Sequence, residues 1–101
     1  MDLGLNNKIA LITAASQGLG KASAFSIANE GASVIICSRD KDKILKAAKD
    51  IKDKTGSEVT FFQADLSKES DINKMVEEII RKYGRIDVLV NNTGGPKAGF
   101  F

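Results

Sequence analysis

The chain has 101 residues, with 15 Lys plus Arg against 13 Asp plus Glu, a formal charge of +2, one Cys, one Tyr and neither His nor Trp. Without histidine no Ser-His or Cys-His nucleophilic pair can form, and a single cysteine leaves no disulfide within the chain and too few of the usual ligands for a zinc site. The chain is 43% hydrophobic and 28% charged, its acids are interspersed among its lysines, and no apolar run approaches the roughly 20 residues of a membrane helix. These features suit one globular unit with neither nucleic acid nor a membrane as its main partner. Residues 1–8 lack the basic and apolar regions of a signal peptide, so the expected setting is a reducing cytoplasm with Cys37 free.

Ile9 to Ile12 is the first of four short apolar runs, followed by Val34 to Cys37, Val59 to Phe62 and Ile86 to Val90. Each is continuous rather than alternating and rich in β-branched or aromatic residues, as a strand covered on both faces should be. After the first run comes a helix at roughly 18–30, whose Ala22, Ser23, Ala24, Ser26 and Ala28 permit close packing on a sheet, with Gly31 ending it. Asp40 to Lys54 is a second helix, with Ile44, Leu45, Ala48 and Ile51 on one face and six lysines elsewhere. Asp42, Asp50 and Asp53 interrupt those lysines, so they read as a solvated face rather than a phosphate patch.

The third helix, Ser67 to Lys82, places Ile72, Met75, Val76, Ile79 and Ile80 at i, i+3, i+4, i+7 and i+8. Ser67 suits its N-cap, Glu69 and Asp71 its first turn, Arg81 and Lys82 its last, and Gly84 the left-handed position beyond. Strands recur about every 25 residues with a helix in each interval, the spacing of right-handed βαβ crossovers. The expected architecture is therefore α/β, βαβαβαβ around a parallel sheet.

Ligands of such sheets bind outside the carboxyl ends of the strands, which directs attention to the turn Thr13-Ala14-Ala15-Ser16-Gln17-Gly18-Leu19-Gly20. Glycines where a strand becomes a helix let a phosphate approach the free N–H groups of the helix start; alternatively they serve only tight packing. A Walker loop fails at Ala15 and Ala22, and a G-x-G-x-x-G fingerprint ending at Gly20 fails at Ala15 and Gln17.

The turn instead resembles the T-G-x-x-x-G-x-G loop of the short-chain dehydrogenase/reductase family. Asp65-Leu66-Ser67 is similar to that family's adenine-contacting segment, and Asn91-Asn92-Thr93-Gly94, approached through Tyr83 to Val90, is similar to its N-N-A-G motif. The three motifs stand in the family's order, each after a strand. The resemblance, closest to the 3-oxoacyl-carrier-protein reductase-like branch, implies a Rossmann-type fold with strand order 3-2-1-4, the first half of a doubly wound sheet. It also implies Ser16, Gln17, Gly18, Leu19 and Gly20 at the pyrophosphate, Asp65 and Leu66 at adenine, and Asn91 and Gly94 at the adjoining ribose and loop. Two positions depart from the pattern. Ala14 replaces the first glycine, so its backbone is expected to keep φ negative, and Thr93 replaces the alanine of N-N-A-G.

Ser38 and Arg39 occupy the end of the second strand, where an acid would hold the ribose hydroxyls of NAD and an arginine the 2′-phosphate of NADP. NADP(H) is thus the expected dinucleotide, with NAD(H) the alternative; Arg39 could equally pair with Asp40 or Asp42. Cys37 reads as an inert core thiol, and Lys97 as a solvated loop residue.

The family's catalytic Ser and Tyr-x-x-x-Lys follow N-N-A-G, whereas here seven residues follow Gly94 and Tyr83 is followed four positions on by Asp87. No catalytic residue is therefore assigned. Residues 1–101 are expected to be a partial dinucleotide-binding domain with no second domain, inactive alone, and self-associating through the exposed edge of its fourth strand. A non-catalytic nucleotide-binding or self-associating fragment is the alternative.

Overall fold

The structure, a computed structural model, describes residues 5–91. The candidate Gly94, with Asn92, Thr93 and Lys97, lies outside the described residues. The chain runs β1 (Ile9–Thr13), α1 (Gly18–Asn29), β2 (Ser33–Ser38), α2 (Lys41–Thr55), β3 (Val59–Gln63), α3 (Glu69–Tyr83), β4 (Val88–Val90). All strand pairs are parallel and the order is β3-β2-β1-β4, as expected.

Successive residues of a strand face opposite sides, and here the two sides build two different cores. Ala10 and Ile12 of β1 with Val34 and Ile36 of β2 meet α1 and α2, which supply Ala24, Ala28, Ile44, Ala47, Ala48 and Ile51. The buried stripe of α1 is Gly20, Ala24 and Ala28, spaced by four, so the helix lies close to the sheet. On the other side Ile9, Leu11, Ile35 and Cys37 meet Met75 and Ile79 of α3. Tyr83 closes that side, its hydroxyl 2.6 Å from Thr60 Oγ1 and donating to Glu58 Oε2 at 2.9 Å.

Several details depart from expectation. Leu45 is 47% exposed while Ala47 is buried in its stead, because α2 meets the sheet along the 44, 47, 48, 51 stripe. In α3 only Met75 and Ile79 are fully buried; Ile72 and Val76 are half-buried and Ile80 is 45% exposed. Lys68, not Ser67, takes the N-cap, since Ser67 turns its hydroxyl to Asp65 Oδ1 at 2.7 Å. The outer strands are less covered than their apolar sequences suggest: β3 is mostly half-buried, and Leu89 of β4 is 60% exposed. Among the described residues no helix is long and apolar enough to cross a membrane.

β4 also begins two residues later than expected, because a side chain replaces the ladder at Asp87. The Ile9 N–H donates to Asp87 Oδ2 at 2.8 Å, while the Asp87 N–H donates to the Ile9 carbonyl at 2.8 Å. Arg85 Nε donates to the same carboxylate oxygen at 2.9 Å, and its Nη2 to the Asn7 carbonyl. The Ile9 N–H first, and then Arg85, hold the Asp87 carboxyl below its ordinary pKa.

A carboxyl lowered on folding contributes stability that is present above its unfolded pKa of about 4 and is lost as pH falls through the lower folded value. Asp87→Ala should therefore lower the urea midpoint at pH 7, with the gap from wild type narrowing below about pH 4. Asp87→Asn, which keeps an acceptor for Ile9, should lose less. Urea titrations at a series of pH values read both effects.

Candidate functional site

A parallel sheet brings the carboxyl ends of its strands to one edge, and at that edge lies a cavity of about 780 Å³. Ser38, Arg39, Asp65, Leu66 and Asn91, five of the expected site residues, line it together with Thr13 and Ala14. Its floor is apolar, formed by Leu11 beneath Ile72 and Val76 of α3 and Leu89 of β4. The remaining described candidates, Ser16, Gln17, Gly18, Leu19 and Gly20, belong to the turn after β1 and are not among the residues lining this cavity. Leu19 is 75% exposed and borders a separate hollow of about 370 Å³ with Ile27 and Val90.

The turn corrects one expectation outright: Ala14 adopts φ 51°, not a negative value. The Ala15 N–H donates to the Cys37 carbonyl at 3.1 Å, so the chain must bend sharply at Ala14 as it leaves the sheet. The start of α1 then rests on the Ala14 backbone. A Cβ on Gly20 would lie 2.9 Å from the Ala14 carbonyl carbon, 3.0 Å from Ala15 Cα and closer still to the Ala14 oxygen, so this position admits only glycine. Gly18 is required for a different reason, a φ of 61° with open space where a side chain would stand. Gln17 is an extended N-cap without a side-chain cap bond, and the first N–H turned back to it is that of Lys21, at 3.4 Å. The N–H groups of Gly18, Leu19 and Gly20 thus have no partner among the described residues, a cradle of donors at a helix start.

Thr13, the first residue of that turn, joins it to β4. It is buried, and its Oγ1 donates to Asn91 Oδ1 at 3.0 Å, with the Val90 carbonyl at 3.4 Å. Asn91 thereby ties the end of β4 to the end of β1.

At the end of β2 the Arg39 guanidinium is exposed and forms no ion pair among the described residues. The surface pairing with Asp40 or Asp42 does not form; Asp40 instead caps α2 by accepting from the Lys43 N–H at 3.0 Å. Ser38 Oγ accepts from the Asp40 N–H at 3.2 Å, leaving its own proton to donate. Asp65 Oδ1 accepts from the Ser67 hydroxyl at 2.7 Å and the Ser67 N–H at 3.0 Å. These bonds, the hydroxyl first, hold the Asp65 carboxyl below its ordinary range against a partial desolvation, with the charges of Lys68 and Arg39 assisting. Burial pushes the Cys37 thiol up, consistent with an unreactive core residue.

Comparison with known proteins follows the same lines. A family model described as short chain dehydrogenase matches residues 8–101. A 3-oxoacyl-[acyl-carrier-protein] reductase, FabG, of Chlamydia muridarum is 41% identical over 90 residues, 89% of this chain and 36% of that protein. Subunit BbsD of (2S)-[(R)-hydroxy(phenyl)methyl]succinyl-CoA dehydrogenase from Thauera aromatica is 38% identical over 97 residues, 96% of this chain and 39% of that protein. The crystal structure of L-sorbose reductase from Gluconobacter frateurii, complexed with NADPH and L-sorbose, superposes with a TM-score of 0.90 at 36% identity, covering 94% of this chain and 36% of its own. The chain thus spans well under half the length of the relatives it matches.

The left-handed Ala14 carries strain that glycine would not. A left-handed alanine costs about 1–2 kcal/mol and an added glycine loses about 0.4–1 kcal/mol through unfolded-state entropy, so Ala14→Gly should stabilise the chain by about 0.5–1 kcal/mol. Chemical denaturation measures the difference.

Proposed function

The chain belongs to the short-chain dehydrogenase family, and from that premise we propose that it is the nucleotide-holding part of an NADP(H)-dependent oxidoreductase that reduces carbonyls or oxidises alcohols. Residues 1–101 are read as part of one dinucleotide-binding domain in a cytoplasmic protein. The observation that carries the cofactor reading is Arg39, a guanidinium with no ion pair among the described residues on the rim of the cavity that Asp65 and Leu66 also line.

The residues fit the group on several counts. Gly18 leaves open space beside N–H donors that have no partner among the described residues, suited to a pyrophosphate. Arg39 and the Ser38 hydroxyl suit a 2′-phosphate, and neither is an acid that would hold the free ribose hydroxyls of NAD(H), the alternative cofactor. Asp65 and Leu66 suit adenine, and Asn91, steadied by Thr13, the adjoining ribose and loop, to which Gly94 also belongs in this reading. When bound, the nicotinamide dinucleotide supplies or accepts a hydride; the work of these residues is to grip its adenosine and phosphate portions. None of them is assigned a catalytic role. That the L-sorbose reductase with the similar fold is complexed with NADPH supports the choice.

The test is titration of the full-length protein with NADPH and NADH. The wild type should prefer NADPH, and Arg39→Ala should weaken NADPH about ten- to hundredfold while changing NADH little. Equal or stronger binding of NADH by the wild type would sink the Arg39 argument.

A second reading, a nucleotide-binding or self-associating module without chemistry, is favoured by one observation. Leu89, 60% exposed, stands on an edge strand beside the half-buried Ile72 and Val76. In this reading the 101-residue chain associates with rising concentration in sedimentation velocity, and Leu89→Lys shifts it toward monomer. A monomer at all concentrations would overturn it.

A further inference from the structure

Asp71 is not among the residues lining the cavity at the strand ends, yet it fixes a segment that does line it. It stands in the first turn of α3, where the N-cap Lys68 provides no side-chain acceptor and a carboxylate ordinarily serves its own helix's free N–H groups. Its Oδ2 instead reaches back six residues to accept the Asp65 N–H at 2.9 Å in a part-buried position.

The other polar atoms of Asp65 are also engaged. Its Oδ1 holds the Ser67 N–H and hydroxyl, and its carbonyl accepts the Lys68 N–H at 2.9 Å. Two groups are left without a partner among the described residues, Asp65 Oδ2 and the Leu66 N–H. They are an acceptor and a donor on adjacent residues, both of which line the cavity.

We propose that Asp71 is a positioning residue for base selectivity, holding the Asp65–Leu66 backbone so that this acceptor and donor stay side by side. The inference rests on the reading of Asp65 and Leu66 as the adenine-holding segment. The edge of adenine presents an amino donor next to a ring-nitrogen acceptor and so complements the pair. Hypoxanthine presents a carbonyl acceptor next to a ring N–H and meets like with like at both points. A site built from a few such polar groups rejects the mismatched base because its own groups are left unpaired. With Asp71 gone, the half-buried Asp65 N–H must find another acceptor, and the peptide that sets the direction of the pair is free to turn.

The experiment titrates the full-length protein with NADPH and with its hypoxanthine counterpart. The wild type should prefer the adenine form at least about tenfold. Asp71→Ala should bring the two within about threefold of each other, chiefly by weakening NADPH, and Asp71→Asn, whose carboxamide oxygen can still accept from Asp65, should keep most of the preference. Asp71→Ser, too short to reach Asp65, should show the same loss and serves in place of the alanine variant if that does not fold. A purely structural Asp71 would lower the melting temperature or weaken both dinucleotides alike with their ratio unchanged, and that result overturns the proposal. If the wild type does not discriminate between the bases, or Asp65→Ala leaves discrimination intact, the adenine reading itself fails and the proposal falls with it.

Discussion

The first turn of α1 rests directly on the backbone of Ala14, and much of the site follows from that close approach. No side chain fits at Gly20, because the carbonyl of Ala14 occupies the place of its Cβ. The contact brings the start of a helix down onto the end of a buried strand, with Gly20, Ala24 and Ala28 continuing the same small-residue seam along the sheet. It also forces the intervening residues outward into a tight turn whose φ values at Ala14 and Gly18 are both positive. The donors of that turn cannot be satisfied by the helix they begin; Gly18 and Leu19 are exposed, while Gly20 is buried against Ala14. One packing constraint thereby yields a local conformation, a strain and a helix start whose first N–H donors have no partner among the described residues.

The two faces of the sheet divide the remaining work. On the α1 and α2 side, alanines and isoleucines close a continuous core, with Lys21 and Asp50 joining the two helices at 2.9 Å. On the α3 side only the Met75 and Ile79 stripe is fully seated. The space left beside it, over Leu11 and between α3 and β4, is the apolar floor of the cavity into which the strand ends open. A base and sugar need such a floor with a few polar groups at its rim, and the rim is supplied by the residues that immediately follow each strand. The uneven packing is thus what opens the cavity at the strand ends.

The succession of elements and the parallel sheet were legible because they depend on coarse properties: continuous apolar runs for central strands, helical stripes between them, and the spacing of parallel crossovers; the strand order came with the family resemblance. The glycine turn and the Asp65 and Asn91 segments were legible through a pattern of residues. What escaped was fixed by contacts between segments distant in sequence. Alanine at position 14 suggests a negative φ until the bond from Ala15 to Cys37 and the pressure from Gly20 are known. Ile86 and Asp87 read as strand until the Asp87 carboxylate is seen in place of a ladder bond to Ile9. Asp71 reads as an acid of the first turn of α3 and Thr13 as the head of the glycine loop, but their partners, back around a loop and across the sheet, are not visible in sequence.

The availability of Arg39 is itself a consequence of how its acidic neighbours are engaged. Asp40 spends its carboxylate on the start of α2, and Asp65 is stabilised in its charged form by the hydroxyl and N–H of Ser67. Neither acid needs the guanidinium, and an exposed ion pair with either would contribute at most about 1 kcal/mol. A phosphate dianion offers the same guanidinium two parallel charge-assisted bonds, a stronger and geometrically matched interaction. Local hydrogen bonds within two loops therefore decide a question of long-range charge. By satisfying the carboxylates separately, they leave the cation at the cavity rim without an ion pair among the described residues, which is the state that the proposed phosphate contact requires.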